Sequence, residues 1–219
     1  MEQGENMKNY KYKIFDMDGT LLDSMFLWKD FGKNYLLHIG IRPPENLSEI
    51  LSTMTLEKAA EYFIEAFGLK STAEEILDDM KKLVEYKYKY ELKLKPYVKE
   101  YLQKSKDEGA LMCVATASSL NLAMAALERN DILKYFSFVS SCEEVGVGKH
   151  KPDIFYYAVE KLKATPSETV VYEDAYFAIK TAKEAGFYTI GVYDEVFEAE
   201  REKIEKISDK FIETFRELL

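Results

Sequence analysis

The chain has 219 residues, 47% hydrophobic and 32% charged, enough for one sizeable core plus a small accessory domain of ordinary globular composition. Its formal net charge of −9 argues against nucleic acid or an anionic membrane as the main partner, and no window approaches 18 uninterrupted apolar residues. His38 and His150 are the only histidines, so a histidine triad or a His-rich metal site is not expected, and Cys113 and Cys142 read as structural thiols.

The polar stretch Met1–Lys11 carries no apolar h-region, which points to a cytoplasmic protein starting at Met1 or at Met7. Tyr12-Lys13-Ile14-Phe15 then reads as a short buried strand ended by the turn at Gly19. From about Asp23 to Leu92 apolar residues recur at helical spacing: Phe26, Leu27, Phe31, Tyr35 and Leu36, then Ala59, Ala60, Phe63, Ile64 and Phe67. Gly40 and Gly68 look like helix stops, Pro43-Pro44 a loop, and Ser71 or Thr72 a cap with Glu74 and Glu75 behind it. The Tyr86–Tyr90 alternation with lysines reads as a solvated helix face.

Beyond Lys95-Pro96 short apolar runs alternate with helices. Strands are expected over Leu111–Ala115, Phe138–Ser140, Val170–Tyr172 and Thr189–Val192. Helices are expected over Tyr97–Glu108, Leu120–Asn130, Ile154–Leu162 and Ala175–Ala185. Such alternation implies βαβ units and hence an α/β fold, a doubly wound parallel sheet with an inserted helical-bundle cap. The core would be 1–22 with 93–219, and the cap 23–92.

Asp16-Met17-Asp18-Gly19-Thr20 sets two carboxylates two residues apart at the end of the first strand, on one side of it. Such a pair persists only if a cation or a proton offsets the repulsion. Thr116 ends the second core strand, Lys149 follows the third behind Gly146 and Gly148, and Glu173-Asp174 end the fourth. Each has an ordinary use: Thr116 as a helix cap, Lys149 as a surface charge, Glu173-Asp174 as an acidic helix start. Together they share the edge where open α/β sheets place their sites. Four carboxylates there call for a hard divalent cation, and oxygen-only ligands favour magnesium over zinc. A hydroxyl, a lysine and backbone amides suit a phosphate.

This ordered set resembles the four motifs of the haloacid dehalogenase superfamily, over essentially the whole chain. The helical insert after the first motif, Gly148–Phe155 and Glu173–Gly186 are similar to the branch that contains β-phosphoglucomutase and small phosphatases. The resemblance implies a Rossmann-like core and a magnesium-dependent phosphatase of small phosphate monoesters, with sugar phosphates foremost. Asp16 would be the nucleophile that becomes an aspartyl phosphate, and Asp18 the general acid and base. Mg2+ would be held by Asp16, the Asp18 carbonyl and Asp174, with Glu173 close by or acting through water. Gly19, Thr20, Thr116, Ala117, Ser118 and Lys149 would hold the phosphoryl group. Ser24 and Trp28 would be the cap's contributions, Trp28 either packing in the core or facing a substrate ring. The expected partner is a small phosphorylated metabolite, and the expected state a monomer or weak dimer.

Two rivals remain. β-Phosphoglucomutases carry a histidine where this chain has Trp28, and a basic cap loop where Leu51–Leu56 offers Ser52, Thr53 and Thr55. A mutase must hold a second phosphate there, which calls for cations. The other rival is a phospho-ligand-binding regulator without turnover. His150 and Ala178 stand where the branch usually has Pro and Gly, which bears on loop shape and not on chemistry.

Overall fold

A computed structural model describes residues 10–51 and 54–219; the start at Met1 or Met7 and the loop positions Ser52 and Thr53 lie outside the described residues. The chain separates into two compact units, Met1–Asp23 with Lys93–Leu219, and Ser24–Leu92. Asp23, placed with the cap on sequence, belongs to the first unit because it pairs with Lys93.

In the first unit β1 (Tyr12–Phe15) is followed by β2 (Leu22–Asp23). The second unit intervenes before β3 (Lys93–Leu94), which pairs antiparallel with β2 as a separate two-stranded ribbon. The second unit comprises α1 (Met25–Lys29), α2 (Phe31–His38), α3 (Leu47–Leu51), α4 (Leu56–Phe67) and α5 (Ala73–Tyr90). The first unit continues through α6 (Val98–Asp107), β4 (Leu111–Thr116), α7 (Leu120–Arg129), β5 (Phe136–Ser141) and α8 (Cys142–Val145). It ends with α9 (Asp153–Leu162), β6 (Thr169–Glu173), α10 (Tyr176–Glu184), β7 (Tyr188–Val192), α11 (Arg201–Ile207) and β8 (Lys210–Ile212). Six strands form one parallel sheet in the order β5-β4-β1-β6-β7-β8. β1 therefore lies at the point where the winding reverses, flanked by β4 and β6.

Period-two alternation sorts the β1 side chains between the two faces. Ile14 faces Ile154, Phe155 and Ala158 of α9, packed with Cys113 and Val171. On the opposite face Phe15 stacks on Tyr172 at 4.3 Å and meets Tyr101 of α6 edge-on at 6.4 Å. Lys13 is buried beside them and donates to Ser105 Oγ (2.7 Å) and Tyr101 Oη (3.1 Å). Burial pulls its pKa down to about 8.

The second unit has its own core of Tyr35, Leu36, Leu47, Ala60, Phe63 and Met80, among others. The single helix expected across Phe26–Leu36 is broken at Asp30. Asp30 leaves the helical region there, with φ −113° and ψ 32°, and its carboxylate accepts from the Ser48 hydroxyl (3.0 Å) and pairs with Lys33 (3.3 Å). Thr72 and Glu75 form a capping box on α5, at 2.8 and 3.2 Å. At Gly32 α2 runs close to its neighbours, since a Cβ there would come within 2.4 Å of Leu51 Cδ1. No helix among the described residues is long and apolar enough to cross a membrane.

Candidate active site

The site is built where β1, β4 and β6 end. Asp16 extends the sheet by one residue, its N–H donating to the Tyr172 carbonyl at 2.9 Å. The chain then folds back on itself: the N–H groups of Leu21 and Leu22 both donate to the Met17 carbonyl, at 2.9 and 2.8 Å. Gly19 makes this turn possible with φ of +86°, a conformation that costs an L side chain. β6 ends at Glu173, and the N–H groups of Asp174 and Ala175 donate to its Oε2 at 2.9 and 3.2 Å.

Lys149 reaches into this space from the loop before α9. Its ammonium lies between Asp16 Oδ1 and Glu173 Oε1, the latter at 2.6 Å. Lys149, Asp16, Glu173 and Asp174 are all buried, none more than 6% exposed. One carboxylate oxygen from each of Asp16, Glu173 and Asp174 lies within 4.8 Å of the others. Burial first, and Glu173 next, push the Asp16 carboxyl up to about 7 against the pull of Lys149. Burial, Glu173 and Asp16 likewise hold Asp174 well above the ordinary carboxylate range. Burial alone would lower Lys149, but Asp16 and Glu173 hold it above the usual ammonium value.

Three buried carboxylates thus cluster beside one buried ammonium, which pairs with two of them. Asp16 Oδ2 and Asp174 Oδ2 are buried with no hydrogen-bond partner among the described residues. Buried carboxylate oxygens of this kind are costly unless something positive completes them. Their chemistry, hard oxygen donors with excess negative charge, fits a hard divalent cation. Glu173 differs from the other two. Both its oxygens already serve the protein, one holding Lys149 and one holding the turn at Asp174–Ala175.

Asp18 is half-buried and outside that cluster; the Ser118 hydroxyl donates to its Oδ2 at 2.7 Å. The Thr116 hydroxyl accepts the Ser118 N–H at 3.0 Å, so it shapes the loop after β4. It does not cap α7, whose N-cap is Ser119. The hydroxyl's own proton is left to donate, beside the exposed Ala117. Thr20 is buried and makes a 3.5 Å contact to Asp174 Oδ1. Asp16, Thr20, Lys149, Glu173 and Asp174 are thereby brought together, and Asp18, Thr116 and Ser118 form a linked second group.

Ser24 and Trp28 lie in the second unit. Ser24 is buried at the start of α1, where its side chain makes no capping bond. Trp28 is 39% exposed, and its Nε1–H donates to Tyr88 Oη at 3.1 Å. Sequence reasoning missed Tyr88. The Tyr86–Tyr90 alternation is not one solvated face, because period two cannot stay on one side of a helix. Tyr86 and Tyr90 are exposed and meet at 5.0 Å, while Tyr88 is fully buried. Lys95 was also missed. It pairs with Asp194 at 2.8 Å, and its charge pulls the Asp174 carboxyl downward against the influences above. Only its place before Pro96 marked it in the sequence, and that says nothing about a site.

The family described as Haloacid dehalogenase-like hydrolase matches residues 13–192. A phosphorylated carbohydrates phosphatase of Thermotoga maritima is 28% identical over 177 residues, covering 81% of this chain and 82% of that protein. Fructose-1-phosphate phosphatase YqaB of Escherichia coli is 26% identical over 185 residues, covering 84% and 97%. Among solved structures, a provisionally named beta-phosphoglucomutase from Thermotoga maritima aligns with a TM-score of 0.79 at 25% identity. That alignment covers 92% of this chain and 94% of the other.

Proposed function

The chain belongs to the haloacid dehalogenase-like hydrolases, and from that premise we propose that it is a magnesium-dependent phosphatase working through an aspartyl phosphate on Asp16. It is a hydrolase of phosphate monoesters whose substrate is a small phosphorylated molecule. The relatives named for carbohydrate phosphates support sugar phosphates as the substrate class. The observation that carries the reading is Lys149 buried between Asp16 and Glu173 while one oxygen each of Asp16 and Asp174 is left without a partner.

Asp16 attacks phosphorus, forming a new P–O bond as the ester P–O bond breaks, and Asp18 gives its proton to the departing alkoxide. Asp18 then removes a proton from the water that displaces phosphate from Asp16. The Ser118 hydroxyl at 2.7 Å supports this by fixing where the Asp18 carboxyl points. Lys149 locks one oxygen of Asp16 and supplies positive charge where the transferring phosphoryl oxygens gain charge. The Thr116 hydroxyl and the Ala117 N–H are the donors for those oxygens. Asp16 Oδ2, Asp174 Oδ2 and the Asp18 carbonyl would hold magnesium, which when bound offsets the carboxylate excess and the charge on the phosphate. Glu173 acts through Lys149, as a positioning residue.

Asp16→Asn keeps the shape of the side chain and removes the nucleophile. Incubated with magnesium and a panel of phosphorylated metabolites, the unaltered chain should release phosphate. The variant should lose on the order of 10³-fold or more, with an unchanged far-UV spectrum. Wild-type turnover in that variant would refute the assignment. A mutase reading is favoured only by the structural likeness to the provisionally named mutase. The same panel, scored for isomerised sugar, separates the two, and no turnover on any member would favour a regulator.

A further inference from the structure

Lys149 and Asp174 are each followed in the chain by an aromatic ring to which the proposed chemistry gives no task. His150 comes directly after Lys149, and Phe177 lies in the first turn of α10, three residues past Asp174. Their rings stack, with centroids 4.2 Å apart and 23° between the planes. Both side chains are exposed, Phe177 to 40%, so packing of the core is not what brings them together.

The stack closes a ring of contacts. Lys149 donates to Glu173 Oε1 at 2.6 Å, and Glu173 Oε2 accepts the N–H of Ala175, the N-cap of α10, at 3.2 Å. From α10 the path returns through Phe177 to His150, and so to Lys149. The turn that carries Lys149 is therefore fastened to the start of α10 twice, by charge in the interior and by rings at the surface. One attachment lets a segment swivel about it; two fix its orientation. The turn's own bond, from the Lys151 N–H to the Gly148 carbonyl at 3.1 Å, closes it on itself without tying it to α10.

The two attachments differ in what disturbs them. During transfer the phosphoryl oxygens compete with Asp16 and Glu173 for the one ammonium, so the charged attachment slackens just when geometry matters most. Ring stacking has no share in that exchange. A lysine ammonium sits on a flexible stem and depends on its backbone for its place. A misplacement of about 1 Å at a reacting centre can cost on the order of 10²-fold in rate.

We propose that the His150–Phe177 stack is a clamp that positions Lys149 while its ammonium passes from the carboxylates to the phosphoryl oxygens. The proposal rests on the phosphatase reading for the role of Lys149, and both rings are positioning residues.

Full-length His150→Ala, Phe177→Ala, the double variant and His150→Phe are compared with the unaltered chain in two measurements. The first needs no turnover: amide hydrogen exchange by mass spectrometry over residues 146–152. Exchange there should be several-fold faster in each alanine variant and unaltered in His150→Phe, which keeps a ring to stack. The second is phosphate release with magnesium from fructose 1-phosphate and from p-nitrophenyl phosphate. Either alanine variant should lose about 3–10-fold in kcat with KM held within about twofold. The double variant should lose no more than the worse single one, because both remove the same contact. His150→Phe should keep the unaltered kcat. A contact that served stability alone would lower the melting temperature and leave kcat unmoved. Unaltered exchange or unaltered kcat in both alanine variants, additive losses, or an alanine-like His150→Phe would overturn the clamp. No turnover by the unaltered chain, on these substrates or on the metabolite panel, would instead refute the phosphatase reading. The exchange rates would then decide alone whether the two rings hold the turn.

Discussion

Replacing Asp174 by asparagine removes one of three clustered buried carboxylates, the one that forms no ion pair with Lys149. A buried ion carries an effective desolvation penalty of several kcal/mol. Asp174 recovers little of it: its Oδ1 has a 3.5 Å contact from Thr20, and its Oδ2 has no partner. Asparagine keeps the shape and carries no charge. In EDTA the variant should therefore be more stable than the unaltered chain by about 1–3 kcal/mol. At roughly 2–4 °C per kcal/mol for a chain of this length, that is about 2–12 °C in melting temperature. Magnesium should reverse the order. At about 100 times its Kd it adds roughly 2.7 kcal/mol to the unaltered chain and far less to the variant, which has lost a ligand oxygen. Thermal melts of both proteins in EDTA and in magnesium measure all four values. If Asp174→Asn melts below the unaltered chain in EDTA, or if magnesium raises both alike, the electrostatic reasoning fails.

Asp18→Asn should slow alkyl phosphates, whose leaving oxygen needs a proton, by about 10²–10⁴-fold, and activated aryl phosphates much less; equal losses in steady-state assays would remove Asp18 as proton donor. Gly19→Ala forces a side chain into a φ of +86° and should cost about 1 kcal/mol or more of stability in urea unfolding; an unchanged midpoint would show that the turn tolerates it. Lys13 has its folded pKa lowered from 10.5 to about 8, so the unfolded chain binds the extra proton between those values. Stability should rise with pH across that window, by up to roughly 3 kcal/mol at about 1.4 kcal/mol per unit. The raised pKa values of Tyr101 and Tyr172 oppose this above about pH 10. They are common to Lys13→Met, so the difference between the two proteins isolates Lys13. Parallel stability–pH curves for them would contradict the assignment.

What the sequence made legible follows from how local each signal is. β1, β4, β6 and β7 are short apolar runs bounded by turns, and the periodicity finds all four within a residue or two. Lys149, Glu173 and Asp174 are legible as an ordered set at strand ends, although their spacing gives no hint that Glu173 holds Lys149 instead of leaving its oxygens open. β8 escapes because Ser208-Asp209-Lys210-Phe211-Ile212 is too polar and too short to show a period. β2 and β3 are two residues each, below any periodic signal. The break at Asp30 carries no Gly or Pro to mark it, and the bond its carboxylate accepts from Ser48, eighteen residues away, lies outside any window read along the helix. The Trp28–Tyr88 bond spans sixty residues and is invisible for the same reason.

The ribbon of Leu22–Asp23 against Lys93–Leu94 fixes the geometry of the insertion. The exit and re-entry points of the inserted unit are hydrogen-bonded neighbours, about 4.8 Å apart. A chain leaving and returning through so narrow a gate places almost no demand on what lies beyond it. The inserted segment is therefore a replaceable module: exchanged for a tight turn, or for another folded piece with close termini, it leaves the six-stranded sheet its full set of strand pairings.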